Sequence, residues 1–257
     1  MNLDVHVALL KTSLNDYPGK IASVVFFPFC NLRCPWCHNG PLIKGETKNE
    51  LISLGTALSV IESRAHLISA VVLSGGEPSL FDGLSELIKR IKKTGLLVKL
   101  DTNGLRPAVL KRLIQEGACP DFFAMDLKIA PERYVSLALP DAPRDEKAAA
   151  LMAANLVESA RIIKESGADY EFRSLVFPPG AAELCEGSCA AGRLLFDEPD
   201  IAALAELAGS GHWRIRSFRG GSCLDPRWNS LPSGYAADVA RLAPHRLGAA
   251  RKDCRHS

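Results

Sequence analysis

The chain alternates short apolar runs with longer segments in which apolar residues recur every three or four positions. Residues 21–27 are almost entirely apolar and rich in β-branched and aromatic side chains, as is typical of a strand buried on both faces. Residues 80–93 carry leucines and isoleucines at helical spacing, which predicts an amphipathic helix. The full pattern predicts strands at 21–27, 70–73, 96–100, 121–127, 170–177 and 213–218, and helices over about 50–66, 80–93, 107–116 and 146–165, with a further helix opening near Pro199.

Six successive strand and helix units predict an α/β fold built on a parallel sheet. Such units form either an open doubly wound sheet or a partial barrel, and the pattern alone does not separate the two. In both architectures the loops after the carboxyl ends of the strands carry the functional residues.

Composition narrows the classes of partner. Lys and Arg together number 31 against 29 Asp and Glu, a balance that argues against a dedicated nucleic-acid-binding protein. No apolar stretch approaches the roughly 20 residues of a membrane-spanning helix, and the first 14 residues lack the features of a signal peptide. We therefore expect a cytoplasmic protein that does not act on a membrane.

Three of the eight cysteines lie within eight residues, as Cys30, Cys34 and Cys37. Three thiolates are one short of saturating a [4Fe–4S] cluster, so one iron would stay open to a ligand that is not protein. A Cys3His zinc site that includes His38 is the alternative. Adjacent Cys37 and His38 would have difficulty closing one tetrahedron, which favours the iron–sulfur interpretation.

The other five cysteines are less informative. Cys119 precedes a predicted strand and is expected to be a small buried hydrophobic residue. The spacing of Cys185, Cys189, Cys223 and Cys254 matches no tight ligand pattern, so a second metal site is the less favoured alternative.

Polar and glycine-rich motifs follow the first four predicted strands. The cysteine segment follows the first strand, and residues 74–78, 101–104 and 125–128 end the next three. Each motif alone is a plausible turn. Their occurrence after successive strands favours a shared functional site.

The spacing Cys-x3-Cys-x-aromatic-Cys, with Trp36 at the aromatic position, resembles the signature of the radical S-adenosylmethionine (SAM) enzymes. The resemblance implies a partial (β/α)6 barrel of the TIM type. It also implies a [4Fe–4S] cluster and SAM as cofactors, with one electron from the cluster cleaving SAM to a 5′-deoxyadenosyl radical that abstracts hydrogen.

The resemblance further implies a set of site residues. The metal ligands would be Cys30, Cys34 and Cys37. Contacts to SAM would come from Trp36, Cys37, His38, Gly75, Gly76, Glu77, Asp101, Thr102, Asn103, Asp126, Lys128 and Arg173. Within this set the glycine motif would bind the amino group of SAM, with its backbone close to the ligand. Lys128 would pair with the SAM carboxylate or be an ordinary solvated lysine. Arg173 would face SAM or a substrate carboxylate in the interior, or pair with Glu171 or Asp169 if it turns outward.

Several segments also resemble the activases of glycyl radical enzymes, and among these the activating proteins of anaerobic ribonucleoside-triphosphate reductase. They are residues 11–20, 30–39, 124–128, 170–173 and 218–226. This implies that hydrogen is removed from a glycine Cα of a partner reductase, with flavodoxin or ferredoxin as electron donor. A radical SAM enzyme acting on a small molecule or a peptide is one alternative, and a zinc-stabilised, non-catalytic interaction protein is the other.

The domain prediction comprises an N-terminal extension, 1–20, a radical SAM core, 21–230, and a basic C-terminal tail, 231–257. The segment 180–197 is longer than the resemblance leads us to expect.

Overall fold

The computed structural model describes residues 3–47, 50–139, 142–178, 181, 184, 198–209 and 212–232. These form one eight-stranded sheet in the order β3-β1-β2-β4-β5-β6-β7-β8. The strands are β1 (His6–Tyr17), β2 (Lys20–Phe27), β3 (Ile52–Ser53), β4 (Ala70–Gly75), β5 (Leu97–Thr102), β6 (Phe122–Asp126), β7 (Asp169–Val176) and β8 (Trp213–Ser217).

The six predicted strands are confirmed as β2 and β4 to β8, and neighbours among them pair in parallel. The sequence analysis did not predict β1, which pairs antiparallel with β2, or the short β3 on the other side of β1. Two register shifts interrupt β1, between Leu10 and Ser13 and between Ser13 and Tyr17. Such irregularities break the strict alternation by which a strand is recognised in sequence.

The helices are α1 (Gly40–Lys44), α2 (Leu54–Ser63), α3 (Leu84–Lys92), α4 (Pro107–Gln115), α5 (Glu146–Glu165) and α6 (Glu198–Ala208). The predicted helices are therefore confirmed, with two shifted starts. The helix expected from 80 begins at Leu84, because Pro78–Leu80 form a separate 3-10 turn. The helix expected from about 50 begins at Leu54, because Ile52 and Ser53 pair with β1 and the Ser53 side chain accepts a hydrogen bond from Thr56 N at 3.1 Å.

The two faces of the sheet differ in chemistry. One face carries large apolar residues such as Leu73, Leu100 and Phe123, which are fully buried in the main core. The inner face carries a second, smaller apolar cluster, which includes Tyr17, Ala22 and Val72. Towards the carboxyl ends the inner face becomes charged, and it is there that the candidate site lies.

The fold is a partial barrel, as expected. In the described residues the strand order runs from β3 to β8 without closing. However, the segment after β8 meets the cysteine loop that follows β2. Leu224 N, beyond β8, donates to Cys37 O at 2.9 Å, and Asp225 N donates to Pro35 O at 2.9 Å. The chain therefore curls so that the segment after the last parallel strand closes onto the cysteine loop after the first.

No helix in the described part of the chain is long and apolar enough to cross a membrane. The division into extension, core and tail stays a prediction, although residues 6–17 of the predicted extension form β1 within the same sheet. The long segment at 180–197, with Cys185 and Cys189, lies outside the described residues apart from positions 181 and 184. Cys254 and residues 233–257 of the basic tail also lie outside them.

Candidate functional site

The cysteine loop follows β2 and presents three thiols in consecutive turns. Cys34 is buried and Cys30 and Cys37 are partly buried. Cys37 N donates to Cys34 O at 3.0 Å, and Leu32 N approaches Cys30 Sγ at 3.4 Å. The three thiols thus lie on one hydrogen-bonded loop at the carboxyl end of the sheet.

Burial raises the pKa of Cys30 to about 11 and that of Cys34 to about 12, and it also raises the pKa of Cys37. The positive charge of Lys128 opposes this rise at all three thiols. Because metals bind the thiolate, cluster binding would release protons from this loop. Lys128 supplies part of the compensating positive charge.

The donor chemistry fits an iron–sulfur cluster, since three cysteines on one loop are a usual ligand source for it. Within the described residues, no three His, Cys, Asp or Glu side chains form a ready site for a single metal ion. The cysteines that hold a four-iron cluster each bind a different iron, so they need not converge on one point.

His38 is held by the opposite end of the sheet. Its Nε2 lies 2.7 Å from Arg219 O, so that nitrogen donates to a backbone carbonyl. Only Nδ1 is then left as a ligand, adjacent in sequence to Cys37. The arrangement places His38 in the contact between the cysteine loop and the segment after β8.

Gly75 and Gly76 are required by backbone packing. A Cβ at Gly75, whose φ is +106°, would overlap the backbone of Phe27, and one at Gly76 would overlap Phe29 O. Gly76 N donates to Phe27 O at 2.7 Å and Glu77 N to Phe29 O at 2.6 Å. The two glycines therefore let the end of β4 approach the chain that enters Cys30, and their contact with SAM stays a prediction.

The Glu77 side chain is buried and bonded within the protein. Its carboxylate accepts from Ser79 N at 3.1 Å, Thr102 Oγ1 at 2.9 Å and Asn103 N at 2.7 Å. Burial raises the pKa of Glu77 despite these bonds. Glu77 therefore joins the end of β4 to the end of β5, and its bonds orient Thr102 and Asn103.

Asn103 extends the same network to the cysteine loop. Its Nδ2 donates to Asn31 Oδ1 at 2.7 Å and lies 4.0 Å from Cys30 Sγ, and its Oδ1 accepts from Leu105 N. The motifs after β2, β4 and β5 thus form one connected unit.

A second unit is a chain of charges across the inner face. Lys99 Nζ lies 2.7 Å from Asp101 Oδ1, which lies 3.5 Å from Arg173 Nη1. Arg173 Nε lies 2.8 Å from Asp126 Oδ1, and Lys128 Nζ lies 3.1 Å from Asp126 Oδ2. Arg173 therefore faces the interior, and its partners are Asp126 on the neighbouring β6 and Asp101 on β5 beyond it.

These contacts set the protonation of the two aspartates. Burial alone would raise the pKa of Asp126, but Arg173 and Lys128 outweigh it and hold the pKa well below its ordinary value. Arg173 and Lys99 likewise outweigh burial and lower the pKa of Asp101. Both carboxylates stay ionised at neutral pH.

A cavity of about 190 Å³ opens between this chain of charges and Trp36. Asp126, Lys128, Arg173 and Arg216 contribute its charged lining. The Trp36 ring also packs in an aromatic cluster, with ring centroids 4.8 Å from Phe177 and 5.4 Å from Trp228. The cavity is smaller than most small-molecule sites, so it would hold one end of a ligand.

A larger cavity, of about 480 Å³, lies on the other side of the cysteine loop beside Phe29 and Phe81. Of the predicted site residues only Glu77 lines it, and the Glu77 carboxylate is already bonded within the protein. We therefore take the smaller, charged cavity as the candidate site.

Sequence analysis missed Lys99 and Arg216. Lys99 is buried and also donates to Asp16 O at 2.7 Å, and Arg216 lines the cavity from β8. The sequence held a signal for both. Alternate residues of a strand face the same side of the sheet, and each of these cations lies at a position whose side faces inward.

Residues 24–176 match the Radical SAM superfamily, which is more than half of the chain. The chain belongs to this family and is a radical SAM enzyme. Membership implies a [4Fe–4S] cluster and SAM as cofactors, and it favours the cluster over the zinc alternative.

Curated relatives match in part. A candidate glycyl-radical enzyme activating enzyme of Methanocaldococcus jannaschii is 34% identical over 131 residues, covering 49% of this chain and 51% of the relative. The 7-carboxy-7-deazaguanine synthase of Hyperthermus butylicus is 36% identical over 93 residues, covering 36% and 38%. This chain thus spans about half or less of the length of these relatives. Among solved structures, Streptococcus suis SuiB bound to S-adenosylmethionine matches 84% of this chain and 44% of its own at 11% identity, with a TM-score of 0.46.

Proposed function

We propose that this enzyme activates a glycyl radical enzyme by removing a hydrogen atom from a glycine Cα of that partner. The observation that carries the proposal is the 34% identity with a candidate activating enzyme of that class. The partner we propose is an anaerobic ribonucleoside-triphosphate reductase, because several segments of the sequence resemble its activating proteins. Flavodoxin or ferredoxin is the proposed electron donor.

Cys30, Cys34 and Cys37 would hold the cluster, and the cavity beside Trp36 would hold one end of SAM. When bound, the cluster and SAM together supply a carbon-centred radical that removes hydrogen from the substrate. The network through Glu77 and Asn103 fixes the cysteine loop against β4 and β5.

The charged unit would orient SAM. Lys128 Nζ lies 3.1 Å from Asp126 Oδ2, and its positive charge also lowers the pKa of the Cys34 thiol against the effect of burial. A carboxylate of SAM placed there would meet a lysine and, beyond Asp126, the buried Arg173. The aromatic cluster around Trp36 and Trp228 would shield a ligand there from water on the same side.

A second candidate function is radical chemistry on a small molecule. Several 7-carboxy-7-deazaguanine synthases are 28–36% identical over about a third of this chain or somewhat more. The cluster and SAM pocket would be the same in that case, and only the group that loses hydrogen would differ.

The two functions are separated by mixing the reduced, anaerobically reconstituted enzyme with SAM and a candidate reductase, followed by electron paramagnetic resonance. A glycyl radical signal on the reductase, absent when the enzyme or SAM is omitted, supports the activase. Formation of 5′-deoxyadenosine without a glycyl radical on any reductase of the same organism contradicts it and favours the small-molecule function.

A further inference from the structure

Two arginines lie on β8 at the end of the described sheet, on the inner face. In the strand register Arg214 pairs with Arg173, and Arg216 pairs with Leu175. Their side chains are 60% and 52% exposed, whereas the Arg173 side chain is 16% exposed. The inner face therefore continues from the buried charges to two accessible guanidinium groups.

These arginines share one carboxylate. Arg214 Nε lies 2.9 Å from Glu171 Oε2, but Arg216 Nη2 lies 3.9 Å from Glu171 Oε1. Glu171 is buried, and its Oε2 makes no well-oriented hydrogen bond within the described residues. Because Arg216 lies farther from Glu171 than Arg214 does and is half exposed, its guanidinium keeps donors that can bind an external anion.

Ion pairs join the charged side chains around the cavity and β8 into a network. Its cations are Lys99, Lys128, Arg173, Arg214 and Arg216, and its anions are Asp101, Asp126 and Glu171. Two positive charges are therefore in excess within this network. Lys128 lies next to the thiols, and Arg216 lies at the end of the cavity on β8, so the two can serve different anions.

We propose that Arg216, with Arg214 beside it, binds a carboxylate of the substrate and so determines substrate specificity. The inference rests on the proposed radical function. The planar guanidinium matches a carboxylate with two parallel hydrogen bonds, and one weakly paired arginine balances one negative charge. In an activase the carboxylate would be an acidic side chain near the target glycine, and in a small-molecule enzyme it would belong to the substrate.

The test measures the binding of two fluorescein-labelled octapeptides to the reconstituted enzyme in the presence of SAM. Both peptides have a central Gly-Gly, which is flanked by Glu in the first peptide and by Gln in the second. We expect the Glu peptide to bind about tenfold more tightly. Arg216→Ala should reduce this ratio to about one, and Arg216→Lys should leave an intermediate ratio. Arg112→Ala, at an exposed arginine on α4, is the control and should keep the full preference.

Glu171→Gln gives a change of opposite sign. It removes the competing charge while keeping the shape of the side chain, so the Glu peptide should bind several-fold more tightly. Misfolding cannot produce that gain. Equal or undetectable binding of both peptides by the wild type, a preference that survives Arg216→Ala, or weaker binding in Glu171→Gln would each overturn the inference.

Succinate and its diamide identify the source of the carboxylate. If succinate, but not its diamide, displaces the Glu peptide at concentrations comparable to that of the peptide, the carboxylate belongs to a small acid. If the peptide binds tightly and succinate does not displace it, the carboxylate belongs to a protein segment. Glycyl radical formation is measured separately. A radical that forms without the Glu preference refutes only this inference, whereas a preference without any glycyl radical refutes only the activase.

Discussion

Glu77 is a buried carboxylate that joins two strand ends beside the cysteine loop. It accepts hydrogen bonds from two backbone amides and one hydroxyl, all of them supplied by segments at the ends of β4 and β5. A buried acceptor that loses its donors is costly, so the side chain fixes the relative position of the two strand ends. The cysteine loop then follows, because Asn103 bonds to Asn31.

Replacing Glu77 with Gln should lower the free energy of unfolding by about 1–3 kcal/mol. The amide nitrogen of Gln would take the place of a carboxylate oxygen that accepts a hydrogen bond, so two donors would face each other. Denaturant unfolding of the cluster-free protein measures the change, with Glu116→Gln, at an exposed glutamate, as the control. Equal stability of the two variants would contradict the role of Glu77.

The lowered pKa of Asp126 predicts a pH dependence of stability. Because the folded-state pKa lies below the ordinary value of about 3.9, its contribution is full above that value. As pH falls below it, the unfolded chain takes up the proton first and stability declines, by at most about 1.4 kcal/mol per pH unit for this group. Asp126→Asn should flatten the decline between pH 4 and 2.5, measured by denaturant unfolding. An unchanged slope would show that Asp126 is not held ionised by Arg173 and Lys128.

At the scale of elements, the ends of β2 and β4 are joined by backbone contacts that leave no room for a side chain. Gly76 lies where the end of β4 meets the chain entering Cys30. The position of the cysteine loop therefore depends on β4 as much as on its own turns.

Gly76→Ala should displace the cysteine loop and reduce the iron bound per chain by more than half after reconstitution. Gly55→Ala is the matched control, since its Cβ would meet only ordinary contacts at 3.6 Å or more inside α2. That change should retain iron and raise helix stability by about 0.5–1 kcal/mol. Full iron content in Gly76→Ala would show that the close approach does not position the loop.

Strands β2 and β4 were predictable because most of their residues are buried on both faces, which produces short apolar runs rich in β-branched residues, such as 21–27. Motifs at strand ends were predictable because parallel strands share one carboxyl edge. The bonding of Glu77 was not, since a glutamate after two glycines is equally compatible with a ligand and with a neighbouring strand. The pairing of Lys99 with Asp16 O also escaped prediction, because it joins β5 to the irregular β1, 83 positions away.

At the scale of the whole molecule, the open sheet is drawn together by the segment after β8. Trp228 is fully buried, and its ring contacts Trp36 of the cysteine loop and Phe177 beyond β7. This aromatic cluster connects the two ends of the parallel sheet beside the candidate cavity.

Trp228→Ala should therefore lower the free energy of unfolding by about 3–5 kcal/mol, because it leaves a cavity where the ends of the sheet meet. Trp228→Phe keeps most of the packing and should cost clearly less. Denaturant unfolding compares the two. Equal effects of both replacements would show that the ring is not packed in the cluster.

The most direct test of the radical SAM site is 5′-deoxyadenosine formation by anaerobically reconstituted enzyme with a strong reductant and SAM. We expect about four irons and four sulfides per chain in the wild type, together with SAM cleavage. Cys34→Ala should abolish cleavage, while Cys119→Ala, at a partly buried cysteine before β6, should retain it. Cleavage that persists in a folded Cys34→Ala protein, or a wild type that binds only zinc, would contradict the assignment of the three cysteines as cluster ligands.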